Sequence, residues 1–267
     1  MIKKYKRKTN NYYSRLFGLS ARLSRNKILN FCIKKYIQKY KINIDDYIIP
    51  EKGFKNFNDF FTRKIKPELR PIGNGLVSPV DGIIYDKGLI YENKTILVKG
   101  NYYQLEELTK ETNLNHKSFC VFYLSPSNYH RVHAPFDMNI NKIKNIPGSL
   151  FSVNEKILIK KQNVYCRNER IVIRGNSEFG DFIMVFVGAA NVGKIKIHTE
   201  PRVTTNQWRA KSNEFEYQNP IKIKKGEELG FFEVGSTVIL SIDNEILKDI
   251  CFNVNDVIKM GEGLIKL

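Results

Sequence analysis

No acidic residue occurs before Asp45, although thirteen Lys or Arg precede it. The formal net charge of the 267-residue chain is +17, and Lys, Asn and Ile are abundant throughout, so part of the excess is a general compositional bias. The acid-free N-terminus exceeds that bias and predicts a basic face for an anionic partner, either a membrane surface or a nucleic acid. No apolar run reaches the roughly 18 residues of a spanning helix. The basic N-terminus also lacks the continuous apolar stretch of a signal peptide. Any membrane contact is therefore expected to be peripheral. The four cysteines, Cys32, Cys120, Cys166 and Cys251, lie far apart and form no CxxC pair. That argues against zinc ligation and a disulfide framework, and for reduced thiols in a cytoplasmic protein. Internal repeats are missing too. What remains is a chain with 42% hydrophobic and 12% aromatic residues, enough for a sizeable core.

Two amphipathic patterns follow the basic cluster Met1–Lys8. Leu16, Leu19 and Leu23 fall at i, i+3 and i+7, and Leu29, Ile33, Tyr36, Ile37 and Tyr40 continue at helical spacing. Arg22, Arg25, Lys27, Lys34, Lys35 and Lys39 occupy the other faces. Such helices lie in a bilayer interface, or pack their stripe on the protein's own core and leave a solvated basic face. Tyr12, Tyr13 and Phe17 favour the membrane for the first; for the second, packing is at least an equal reading. Phe57, Phe60 and Phe61 predict a short helix with Asn58 as its cap, and Pro67 and Pro71 prevent continuation. Beyond Gly73 the pattern changes to short β-branched or aromatic runs: Ile96–Val98, Phe119–Leu124, Ile171–Ile173, Phe182–Val187 and Lys194–Ile197. A helical turn is expected at Tyr103–Thr109. The fold class is α+β, with a basic helical membrane-associating region at 1–70 and a mostly β, mainly antiparallel, catalytic core at 71–267.

Near the C-terminal end, Lys225–Leu240 reads as a turn, a short strand, the step Gly235-Ser236-Thr237 and a second apolar run. A Gly before a hydroxyl residue in a buried β-pattern can hold an unusual backbone conformation beside a nucleophile. Only four histidines exist, and His130 and His133 sit at i, i+3, a spacing that suits one face of a helical turn. No Cys or His cluster accompanies them, so no metal site is expected. As an acid and base pair they could serve two different protons. His116 and His198 are read as structural. Asp81, in Ser78-Pro79-Val80-Asp81-Gly82, is either a turn aspartate or a carboxylate that orients a histidine. On the second reading Ser236, a histidine and Asp81 form a hydroxyl, imidazole and carboxylate relay.

Ser78–Gly82, Tyr129-His130-Arg131-Val132-His133-Ala134-Pro135 and Val234-Gly235-Ser236-Thr237 occur in the order and at the spacing of phosphatidylserine decarboxylase proenzymes. Phe57–Arg63 with Arg70-Pro71, Gly148–Asn154, Arg167–Arg170, Glu178–Gly180, Val187–Gly193 and Lys225–Gly230 also resemble that family, so the likeness runs from about Phe54 to Leu240. The chain departs from the family pattern at Val234, commonly Leu, and at Asp137-Met138, where members often have Gly; neither change removes a reacting group.

The resemblance implies self-cleavage between Gly235 and Ser236 into a β chain, 1–235, and an α chain, 236–267, which stay associated. Ser236 would attack the Gly235 carbonyl. Elimination and hydrolysis would then leave a covalent pyruvoyl group derived from Ser236, with release of ammonia. That group would form a Schiff base with the amine of phosphatidylserine and promote loss of CO2, giving phosphatidylethanolamine in phospholipid biosynthesis. By the same resemblance His133, held by Asp81, activates Ser236, and His130 protonates the product carbon. The implied partners are phosphatidylserine and an anionic membrane surface, with no nucleic acid, and a homodimer is admitted. The implied location is the cytoplasmic face of the cell membrane, as a peripheral protein. The alternatives are a serine hydrolase using Ser236, His133 and Asp81, and a basic nucleic-acid- or membrane-binding module without catalysis.

Overall fold

Strand β12 (Ser236–Ile242) is buried along its whole length, as its run of β-branched and aliphatic residues requires of a strand covered on both faces. The computed structural model describes residues 27–91, 94–190, 194–203, 205–207, 211–233 and 236–265. On one side β12 pairs with β4 (Ser118–Leu124), on the other with β8 (Gly180–Gly188), both antiparallel. These three are adjacent inner strands of an eight-stranded sheet. Beyond β8 lie β7 (Arg170–Ser177), β6 (Met138–Ile146) and β10 (Asn213–Ile223); beyond β4 lie β1 (Gly82–Leu89) and β13 (Val257–Ile258). The edge strand β10 is largely exposed, and its register shifts between Glu216 and Ile221, where Pro220 cannot donate a ladder bond.

A second sheet of three strands runs in the order β5 (Arg131–His133), β11 (Glu228–Phe232) and β9 (Ile195–Ile197). A separate hairpin joins β2 (Thr95–Val98) and β3 (Asn101–Gln104). The chain leaves β11 at Phe232 and enters β12 at Ser236, so three residues carry it from the small sheet to the centre of the large one. The architecture is α+β and mostly antiparallel β.

Helix α1 (Lys27–Tyr40) buries Leu29 and Ile33 against Ile42, Tyr47, Phe60, Ile65, Tyr129 and Met260. Its stripe thus packs on the body of the protein, while Lys34, Lys35 and Lys39 are exposed. The expected helix bearing Leu16, Leu19 and Leu23 lies outside the described residues. Among the described residues no helix is long and apolar enough to cross a membrane. Helix α2 (Phe57–Phe61) is capped by Asn56, not Asn58: the Asn56 side chain accepts the Asp59 N–H at 2.8 Å, which places the cap one residue before the first helical position. Tyr103 lies on β3, and helix begins only at Leu105.

Candidate active site

The histidine pair lies on extended chain rather than on a helical turn. His133 ends β5, and the His130 carbonyl accepts the Phe232 N–H at 3.0 Å, so the pairing with β11 reaches back to His130. Side chains of extended chain alternate in direction, so positions three apart point to opposite sides. The two imidazoles accordingly have different neighbours.

His130 faces the large sheet. Its Nδ1 is 3.5 Å from Ser236 Oγ, and both residues are fully buried. Phe61 stacks on the imidazole, with ring centroids 4.2 Å apart and an interplanar angle of 27°. Nε2 is enclosed without a well-formed hydrogen bond. Burial, and then the Arg63 charge, push the His130 pKa down to about 3, while the nearby Ser125 and Pro126 carbonyls oppose the shift. The ring is neutral at ordinary pH, so with hydrogen on Nε2 its Nδ1 can accept the Ser236 hydroxyl.

His133 faces the turn before β11. Its Nδ1 is 2.7 Å from the Gly226 carbonyl, and its Nε2 is 3.0 Å from the Tyr129 hydroxyl. A carbonyl can only accept, so Nδ1 carries the hydrogen and Nε2 accepts from Tyr129. Burial lowers the His133 pKa, Arg131 adds to the effect, and Gly226, Glu228 and Asp81 oppose it. Burial raises the Tyr129 phenol, which keeps it a donor. Gly226 has φ +84°, a conformation natural to glycine, and that turn aims its carbonyl at His133.

Asp81 is gripped by Arg70 through a two-pronged pair, Nε to Oδ1 at 2.8 Å and Nη2 to Oδ2 at 2.5 Å. Oδ1 also accepts the Met260 N–H at 2.9 Å. Among the described residues Asp81 makes no hydrogen bond to either histidine; its charge reaches His133 through space and favours the protonated ring. The structure therefore brings Ser236 to His130, His133 to Tyr129 and Gly226, and Asp81 to Arg70. Gly235 and Val234 lie outside the described residues. Ser236 itself heads β12, opposite Leu124 on β4 and Gly188 on β8.

The sequence did not mark Phe61, Arg70, Tyr129 or Gly226 as partners of the candidate site residues. Each nevertheless falls inside a segment that resembles the family, and a search for partners of the acid and base pair would have begun there. Of the other histidines, His116 Nδ1 is 3.0 Å from Ser241 Oγ in the core, and His198 pairs with Glu228 at 2.6 Å on the surface. No group of three or more His, Cys, Asp or Glu suited to a metal ion occurs among the described residues.

Comparison with known proteins agrees with the resemblance. The family model for phosphatidylserine decarboxylase matches residues 57–266. A phosphatidylserine decarboxylase proenzyme of Saccharophagus degradans is 35% identical over 267 residues, covering 96% of this chain and 93% of its own. The proenzyme of Campylobacter jejuni is 36% identical and covers 94% of both chains. That of Francisella tularensis subsp. novicida is 38% identical, covering 81% of this chain and 80% of its own.

Proposed function

The chain belongs to the phosphatidylserine decarboxylase family, and on that premise we propose that it converts phosphatidylserine to phosphatidylethanolamine after cutting its own backbone between Gly235 and Ser236. The observation that carries this reading is the seat of Ser236, a fully buried hydroxyl at the head of a central strand, facing a neutral imidazole at 3.5 Å. Forming a covalent group from a serine requires a hydroxyl nucleophile, a proton acceptor within reach and little water. The residues present fit that demand. A pyruvoyl group at position 236 supplies an electrophilic carbonyl that binds the substrate amine and withdraws electrons as CO2 departs.

The chain's own residues have distinct tasks. Ser236 Oγ attacks the Gly235 carbonyl as an imidazole takes the hydroxyl proton; the Gly235–Ser236 C–N bond breaks with that proton passing to the freed nitrogen, which leaves an ester, and loss of the Ser236 α-proton then expels the Gly235 carboxylate. The family resemblance gives activation of Ser236 to His133 with Asp81, and gives His130 the protonation of the carbon that loses CO2. The contact between His130 and Ser236 supports a second reading, in which His130 serves both steps. Asp81 and Arg70 tie the Ser78–Gly82 turn to the C-terminal segment at Met260. Action at the cytoplasmic face of the cell membrane, as a peripheral protein drawn to anionic lipid by the basic residues before Asp45, completes the proposal.

Intact-mass measurement under denaturing conditions tests it. The wild-type chain should yield fragments 1–235 and 236–267, the smaller blocked by a pyruvoyl group, and should release CO2 from phosphatidylserine. Ser236→Ala should yield one chain of 267 residues and no CO2. A folded wild-type chain that stays whole and hydrolyses esters would replace this reading with the serine hydrolase.

A further inference from the structure

Residues before the β-rich core reach into the active site. The turn Ser125–Asn128 that leads to His130 is closed by the Asn128 N–H to Ser125 carbonyl bond at 3.0 Å and by Asn128 Oδ1, which accepts from Ser125 N and Oγ at 2.7 Å. Two side chains from outside hold this turn. Tyr36, on α1, donates its hydroxyl to the Pro126 carbonyl at 3.0 Å. Arg63 donates Nη2 to the next carbonyl, Ser127, at 3.1 Å. Arg63 Nη1 also reaches the Phe60 carbonyl at 3.3 Å, and the guanidinium lies over the Tyr47 ring at 4.1 Å. The same two residues brace the aromatic wall of the site. The Tyr36 ring meets Phe60 and Phe61 edge-on at 5.9 and 6.2 Å, and Phe61 is the ring stacked on His130.

We propose that Tyr36 and Arg63 are positioning residues for His130: they fix the two successive carbonyls of the turn before it and steady the ring stacked against it. Packing alone does not require this pattern. A purely apolar contact would serve the cluster around Leu29 and Ile33 equally well, whereas here a hydroxyl and a guanidinium each end on a main-chain carbonyl of one short turn. The Arg63 charge acts in the same direction by favouring the neutral imidazole. The consequence is that α1 is part of the catalytic apparatus, and its seating sets how His130 is presented to Ser236.

The inference rests on the proposed role of His130 in turnover, so the test includes a readout that does not. Tyr36→Phe removes the hydroxyl and keeps the ring; Arg63→Lys keeps the charge and removes the fork. Each is made in the full-length chain. Cleavage is followed by intact mass, kcat and KM with soluble dihexanoyl phosphatidylserine, and the His130 ring by its 1H–13C signal among only four histidines. Both variants should cleave and melt close to wild type, shift the His130 signal and lower kcat about tenfold, with KM changed less than about twofold. An unmoved His130 signal with wild-type kcat would overturn the proposal. So would a loss of activity that only follows a lowered melting temperature. If the wild-type chain cleaves but does not decarboxylate, the proposed function fails, and the His130 signal alone still decides whether Tyr36 and Arg63 hold the ring.

Discussion

At the scale of residues, the odd separation of His130 and His133 decides what each can touch. One ring meets Ser236 and Phe61, and the other meets Tyr129 and Gly226, so the two have different surroundings. His130→Ala should lose about a hundredfold or more of turnover, the usual cost of removing a positioned acid or base. Intact mass then separates the two assignments: a cut but inactive chain keeps activation of Ser236 with His133, and an uncut chain transfers it to His130. Buried neutral imidazoles also give stability a definite pH dependence. Burial takes the His116 pKa to about 4 and the His130 pKa to about 3, from 6.5. Above pH 6.5 both states are neutral at these sites and the stability is fully present. As the pH falls below 6.5 the unfolded chain binds protons that the folded chain refuses, so stability is lost progressively toward pH 4 and 3. The melting temperature should fall steadily from pH 7 to 4.5, and less so in His116→Gln. A flat profile in both would show that these rings titrate as exposed ones do. Asp81, Ser236 and both histidines were legible as motif residues, because their chemistry is written in their identity. Their partners were not, because Arg70, Tyr129 and Gly226 become neighbours only when turns and strand register bring them there.

At the scale of elements, β11 is the hinge of the site, since it pairs with β5 on one side and β9 on the other and leads into Ser236. Its close approach to β9 depends on Gly230. A Cβ there would lie 2.0 Å from the Lys196 carbonyl oxygen, a main-chain atom that cannot yield without moving β9. Gly230→Ala should therefore cost about 1–3 kcal/mol as an overpacked position, and should slow the proposed cleavage because the displaced strand leads toward Ser236. Thermal melting and a cleavage time course check both parts; a wild-type melt with a wild-type rate would mean that β9 is free to shift. The strands that sequence revealed include those with apolar runs, β2, β4, β8, β9 and β12, together with the short β11 and the middle of β7. Strands β6 and β10 escaped because Met138–Ile146 interleaves Asn and Lys with its apolar residues, and Asn213–Ile223 is an exposed edge. On β6, Lys142 and Lys144 pair with Glu214 across the sheet on β10 and with Glu111, which follows the helix Leu105–Thr109. Charge pairing at an edge leaves no apolar periodicity to read.

At the scale of the whole molecule, a cut before Ser236 would sever the chain at the start of its most enclosed strand. The fragment 236–267 would then hold β12, which pairs along all seven residues with β4 and again with β8, both on the other fragment. The same fragment buries Val238, Ile239, Leu240, Ile242, Leu247, Ile250, Ile258 and Leu264. Each such side chain is worth about 1.5–3 kcal/mol when withdrawn from water. Two further ties run from its far end: the Met260 N–H to Asp81, and the Leu264 N–H to the Leu76 carbonyl at 2.8 Å. Cleavage removes one peptide bond and none of these contacts, so the fragments should co-elute on size exclusion in native buffer and separate only in denaturant. The cut also makes their reassociation bimolecular, so the melting temperature of the cleaved protein should rise with concentration, unlike that of Ser236→Ala. Release of the 32-residue fragment under native conditions would mean that the central strand is held by chain continuity rather than by its neighbours.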